Sequence, residues 1–401
     1  MRLYKGALLV LALTLLTGCL GGGGDRQTLL SGGSWPGMTV HNEILYVANR
    51  GQVHAVDDQG RQLWSFPESP SNNQNFFAAP AVEEGLLVIT DYSNAIFALD
   101  PERGTELWSF MTNNARFIGG ATIGEDYVFA AAVNGVLYAI DKASGEEVWR
   151  FSADRSIWST PVLDNGTLYI TSLDRHVYAV DAEDGSELWR FPDVDVPSAD
   201  RIAAIVNTPT LHNGVLYFGS LNTLMYALDV ETQEVLWEYP TDNWIFSSPI
   251  IAEEANLVIG ADLDGTVFAL NLTTGEEVWT FPTDGPVVGQ PLLVDALASE
   301  EENGDTVEGS VIYIASEDTR LYQLEVSSGD LVTQPTTIEN VYELRFLFFQ
   351  TGEEVRPMPV YTSPVLFAGN IVVGSHQQQG SNLLVAYDRE SMLEDWAFEP
   401  R

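Results

Sequence analysis

One cysteine, Cys19, and two lysines, Lys5 and Lys142, are all that the 401-residue chain has of either type. A single thiol cannot pair within the chain, so no disulfide framework holds this protein together. Cations are scarce in general: 18 Lys and Arg stand against 57 Asp and Glu, for a net charge of −39. Nucleic acid is thereby excluded as a main partner, since phosphate backbones are held by clustered Lys and Arg. The histidines, His41, His54, His176, His212 and His376, fall at no metal-ligand spacing. There is no G-x-S-x-G elbow and no S-x-x-K pair. Asp262-Leu-Asp264-Gly265 lacks the later acidic ligands of a calcium loop and reads as a hairpin turn. No apolar run beyond the N-terminus is long enough to span a bilayer. Disorder is excluded as well, because 45 % of the chain is apolar and 10 residues are Trp, enough to bury a core.

At the N-terminus Arg2 and Lys5 precede an uncharged, mostly apolar run, residues 6–17, too short to cross a membrane comfortably. The run ends in Leu16-Thr17-Gly18-Cys19, which resembles the lipobox of bacterial lipoprotein signals. The resemblance implies cleavage before Cys19 and a diacylglyceryl group on its thiol. Residues 1–18 are then a signal peptide, and residues 19–35 a lipidated Cys with a Gly-rich tether. The location this implies is extracytoplasmic and lipid-anchored, on the periplasmic face or the cell surface. Acyl chains on Cys19 would hold the protein to the membrane surface without any spanning segment.

Self-similarity organises the remainder. Ala139-Ile-Asp141-Lys-Ala-Ser-Gly145-Glu-Glu-Val-Trp149 recurs as Ala179-Val-Asp181 through Gly185 to Trp189, and as Ala269-Leu-Asn271 through Gly275 to Trp279. Looser copies end at Trp108, Trp237 and Trp396, a copy shorter by one residue ends at Trp64, and a degraded one (Gln323-Leu-Glu325, then Gly329) lacks the Trp. Short Val-, Tyr-, Ile- and Leu-rich runs bounded by Gly, Asn or Asp surround each copy, the pattern of antiparallel strands joined by hairpins. Four strands per repeat and a period of about 42 residues predict an all-β, eight-bladed propeller over residues 36–401.

The Ala-x-Asp-x-x-x-Gly-Glu-x-x-Trp pattern resembles the tryptophan-docking motif of the pyrroloquinoline quinone (PQQ) type propellers. That resemblance implies structural roles, between adjacent blades, for Trp64, Trp108, Trp149, Trp189, Trp237, Trp279 and Trp396. It also raises a PQQ-dependent dehydrogenase oxidising alcohol or sugar, with PQQ and Ca2+ as cofactors. Such enzymes carry long insertions and, in many, adjacent cysteines, whereas eight blades here use nearly the whole chain. The expectation is therefore a propeller with no cofactor, no metal and no catalytic residues; a carbohydrate- or peptide-binding propeller is the further alternative.

In a regular scaffold, function concentrates where the repeat breaks. It breaks at residues 193–204, at the acidic stretch 295–309, at 333–359 and at 376–382. The first break carries Asp200-Arg201 ahead of Thr208-Pro209, and by this an anchored, unelaborated propeller resembles the BamB family of outer-membrane assembly lipoproteins. The family often has an acidic pair where this chain has Ala204-Ile205-Val206. The resemblance implies a monomeric, non-enzymatic scaffold for protein partners at the cell envelope, with Asp200 and Arg201 as candidate partner-binding residues. In the third break Phe346-Leu-Phe348-Phe349 is expected to lie on a displaced outer strand of blade seven, residues 341–349. The other reading makes Phe346 and Phe348 an exposed partner-binding patch.

Overall fold

The computed structural model describes residues 37–71, 73–193, 202–294, 309–346, 349–375 and 381–400. They form eight four-stranded antiparallel sheets, each from consecutive strands, and one separate two-stranded sheet. The blades span residues 37–66, 81–111, 121–152, 162–191, 210–240, 250–282, 292–337 and 365–398. Blade four shows the pattern, with strands Val162–Asp164, Thr167–Thr171, Val177–Asp181 and Glu187–Phe191. The second and third strands are buried on both faces, so they read as continuous apolar runs such as Leu86–Asp91 and Ala95–Leu99.

The core is not one mass but eight layers, each between neighbouring blades. Met38, Leu45 and Val56 of blade one pack with Phe367, Val372 and Leu384 of blade eight, so the ring closes face to face with each blade using its own strands.

The motif is the device that joins the layers. Its Ala lies opposite the Trp across the third and fourth strands, as in Ala139↔Trp149, and the register shifts one residue later. Only a methyl at that point leaves room for the indole. The motif Asp caps its own turn: Asp141 Oδ1 accepts from the N–H groups of Ala143 and Ser144, and Asn271 Oδ1 does the same for Thr273 and Thr274. The Gly closing the turn has positive φ, and its Cα faces the Trp of the preceding blade. A Cβ on Gly145 would lie 2.8 Å from Trp108, and one on Gly275 2.5 Å from Trp237. Five docked indoles donate their N–H to a backbone carbonyl of the next blade: Trp64 to Pro101 (2.9 Å), Trp108 to Lys142 (2.9 Å), Trp149 to Ala182 (3.3 Å), Trp237 to Leu272 (3.0 Å) and Trp279 to Val326 (2.8 Å).

Blade seven shows what replaces a missing Trp. Gln323 takes the place of the Ala, donating to the Tyr313 hydroxyl (3.0 Å) and accepting from Thr333 Oγ1 (3.0 Å). Tyr313 in turn donates to the carbonyl of Arg389, the residue after the motif Asp of blade eight. Blade eight has Met392 where others have the docking Gly, and its side chain is buried against Tyr313 and Leu321. Residues 341–349 do not supply the outer strand of blade seven. That strand is the pair Thr336–Thr337, and Glu339–Phe346 instead pairs with Phe349–Pro357 as the separate hairpin. A nine-residue partner strand directly downstream offers more ladder hydrogen bonds than the short exposed end of blade seven.

Candidate functional site

A four-stranded meander sorts its loops by parity. The turns after the first and third strands lie at one end of every blade, here the turn face. Those after the second strand, and the connections into the next blade, lie at the other end, the connection face. Three of the four breaks in the repeat therefore start and finish on the connection face: 193–204, 333–359 and 376–382. The strands on either side of 295–309 meet that stretch at the turn face. The first strand of blade one begins, and the last strand of blade eight ends, on the connection face.

The connection face is built from seven matching lead-in segments. In each, one apolar residue is fully buried between blades: Phe76, Phe117, Ile157, Ile205, Ile245, Val287 and Val360, none more than 1 % exposed. The next residue is on the opposite side of the extended chain, giving Phe77, Ile118, Trp158, Val206, Phe246, Val288 and Tyr361. Each lead-in is pinned to the following turn of its blade, as by Val133 N–H to Arg116 O, Leu173 to Ser156, Leu221 to Ala204 and Leu263 to Trp244. Below them the first strands are laced around the axis. Gly120 N–H donates to Thr160 Oγ1, Thr160 N–H to Thr208 Oγ1, Thr208 N–H to Ser248 Oγ and Gln290 N–H to Ser363 Oγ. This is why the Ser/Thr-Pro pairs recur at those strand starts.

Aromatic groups and polar groups without partners gather on this face. Phe77 and Tyr92 meet edge-on at 5.6 Å, and the Arg116 guanidinium lies 5.3 Å over the Tyr92 ring. The buried indole N–H of Trp158, Oδ1 of Asn207, Oδ2 of Asp262 and Oε1 of Glu317 meet no hydrogen-bond partner. Burial pushes the Glu317 carboxyl up to about 7 and raises that of Asp262. His176, on the same face of blade four, contacts Asp174 at 3.2 Å through Nδ1. The Tyr178 hydroxyl donates to the other Asp174 oxygen (2.9 Å), and burial beside that carboxylate drives its ionisation far upward.

Of the sequence-predicted site residues, Cys19, Asp200, Arg201 and Phe348 lie outside the described residues. Phe346 ends the first strand of the hairpin, paired with Phe349. Ile205, where the acidic pair is missing, is fully buried between blades four and five. Sequence reasoning missed Trp158, Trp244, Tyr92 and Arg116. A signal existed: Trp158 and Trp244 stand outside the docking motif, and both fall in lead-in segments. Among the described residues no group of three or more His, Cys, Asp or Glu is placed to hold a metal ion.

The family model described as outer membrane protein assembly factor BamB matches residues 21–116, 93–208 and 194–399. Among solved structures, the crystal structure of BamB from Moraxella catarrhalis is similar at a TM-score of 0.62 and 19 % identity, over 88 % of this chain and 94 % of that one. The computationally designed Ika8 protein is similar at a TM-score of 0.67 and 13 % identity, over 88 % and 96 % of the two chains. No curated protein sequence matches.

Proposed function

Because the chain belongs to the family of the outer membrane protein assembly factor BamB, we propose that it is an envelope scaffold that docks protein partners on its connection face. One observation carries this reading: in a fold of repeated four-stranded blades, three of four departures from the repeat are flanked by strand ends on that face. The same face carries half-buried aromatic and exposed arginine side chains, residue types that interfaces favour. The scaffold is non-enzymatic and works as a monomer. Its Cys19 is lipidated, with the leader of residues 1–18 removed.

The test is in-cell crosslinking from Trp158 or Phe77, each replaced by a photoreactive residue, followed by identification of the captured proteins. Recovery of a β-barrel assembly factor at these sites, and not at turn-face sites such as Glu125, is the expected result. Equal capture from both faces, or none from either, would refute the assignment of the face. Cys19→Ser should release the protein from the membrane fraction.

A further inference from the structure

Among the described residues, seven Lys and Arg side chains have a carboxylate within reach. Arg61 meets Asp57 at 2.7 Å, Arg103 meets Asp100 at 2.9 Å, Arg150 meets Glu147 at 2.6 Å, and Arg190 meets Glu187 at 2.5 Å. Lys142 meets Glu83 at 2.8 Å and Arg320 meets Asp284 at 2.5 Å. With 57 acidic residues in the chain, pairing is the default outcome for a cation. Arg116, Arg155 and Arg175 depart from it: all three are exposed, and none has an ion pair among the described residues.

These three are neighbours. The Arg116 carbonyl accepts from Val133 N–H, and the Val133 carbonyl accepts from the Ser156 hydroxyl. Ser156 follows Arg155, whose carbonyl accepts from the Ser172 hydroxyl (3.3 Å), while Arg175 N–H donates to the Ser172 carbonyl (3.2 Å). Backbone and serine-hydroxyl hydrogen bonds over blades three and four thus bring all three exposed arginines to the connection face. Among the described residues, the nearby acids are engaged elsewhere. Asp174 is engaged by Asp154 N–H, by the Tyr178 hydroxyl and by His176, and Asp154 lies in the field of Arg190.

Arg175 is held in an unfavourable conformation. Its φ is 76°, in the left-handed region, at a turn position where blades three and six use Gly135 (φ 85°) and Gly265 (φ 89°) and blades two, five and seven use Asn94, Thr223 and Thr319. Of these side chains only that of Arg175 carries a charge. Apolar contact is at hand in Tyr92 beneath Arg116, Phe77 beside Tyr92, and the buried Trp158.

We infer that Arg116, Arg155 and Arg175, flanked by Tyr92 and Phe77, form a docking patch for an acidic polypeptide segment of the partner. The inference rests on the scaffold reading for the partner's existence and adds its chemistry. Planar guanidinium groups grip carboxylates through paired N–H donors, and the aromatic neighbours add apolar contact. The rest of this acidic molecule repels an anionic partner, so the patch also fixes where such a segment lands.

The full chain, purified in detergent, is titrated against a fluorescein-labelled peptide alternating Glu with Phe and Tyr, read by fluorescence anisotropy. A Lys-for-Glu peptide and short-chain phosphatidylglycerol serve as comparison probes. The Glu peptide should bind, weakening with salt, and the triple variant R116S/R155S/R175G should lose about tenfold or more in affinity. R175G alone should weaken binding while leaving Tm unchanged or higher, because glycine fits that φ; a purely structural Arg175 would instead lower Tm. Equal binding of the Lys peptide, preference for phosphatidylglycerol, or undiminished binding by the triple variant would overturn the patch. In the crosslinking experiment, wild-type capture that persists in the triple variant sinks the patch and spares the scaffold. No capture by wild type sinks the scaffold, and peptide binding still judges the patch.

Discussion

Trp396 and Trp279 occupy the same motif position and differ in one bond. Trp279 donates to Val326 O at 2.8 Å, whereas the buried indole N–H of Trp396 meets no acceptor. The cause is one residue in blade one. Gly60 N–H closes its turn on Asp57 three positions back, while Gly329 N–H closes on Glu325 four back, so the carbonyl that would face Trp396 is displaced. Trp279→Phe should therefore cost about 1–2 kcal/mol more than Trp396→Phe, the value of a buried hydrogen bond; equal losses in urea denaturation would contradict this. Two buried titratable groups act in opposite directions. His54, 1 % exposed and packed against Phe398 of blade eight, is lowered by burial from 6.5 to about 4. The unfolded chain accepts a proton there that the folded chain refuses, so roughly 3 kcal/mol of stability is lost as pH falls from 6.5 to about 4. Glu317 holds its proton up to about 7 when folded and near 4.5 when unfolded, so its contribution is lost as pH rises through that window. Glu317→Gln should stabilise the protein at pH 8 relative to pH 5, checked by urea midpoints at both. An equal effect at the two pH values would show that burial of the charge is not the cause.

Among the elements, the docking turns of blades five and eight set up a paired comparison. Both replace the motif Gly by a side chain at positive φ, Gln233 (58°) and Met392 (54°). Gln233 is exposed and receives only backbone strain from its position, so Gln233→Gly should stabilise by about 0.5–1 kcal/mol. Met392 is buried in the layer that lacks a Trp, so Met392→Gly should destabilise by roughly 2–4 kcal/mol, because the lost packing outweighs the relieved strain. Thermal melts that move in the same direction would refute the substitution of Met392 for an indole. The blades were legible in the sequence because each repeat states the same constraints: the small Ala opposite the Trp, the capping Asp, the Gly under the ring. The outer strand of blade seven was not, since a two-residue strand such as Thr336–Thr337 carries no periodicity, and residues 341–349 have equal propensity for a hairpin. The arginine patch was illegible for a different reason. Arg116, Arg155 and Arg175 lie far apart in sequence terms, and only the lacing of lead-in segments to turns brings them together. Trp158 could have been found by asking where the Trp residues outside the motif fall.

Over the whole molecule, the parity of the meander polarises the charge. Acidic doublets crowd the turn face: Asp57-Asp58, Glu83-Glu84, Glu125-Asp126, Glu146-Glu147, Glu183-Asp184, Glu253-Glu254 and Glu276-Glu277. Of the cations there, Arg61, Arg103 and Lys142 are already paired to single carboxylates. Exposed pairs of this kind contribute little, so what remains is like-charge repulsion around the ring, a term that opposes the compact state. Repulsion between exposed charges is screened beyond a Debye length, about 10 Å at 0.1 M salt and 3 Å at 1 M. The folded state should therefore gain from added salt, with Tm rising by several degrees between about 0.05 and 1 M NaCl. A general salting-out of apolar surface would also raise Tm, and the two are separable by mutation. Neutralising the doublets at residues 125–126, 253–254 and 276–277 to Gln and Asn should raise Tm at low salt and flatten the salt dependence. The same number of changes on the connection face, where acids are sparser, should do neither. A salt slope unchanged by the turn-face substitutions would assign the effect to apolar surface, and the acidic face would then carry no stability cost.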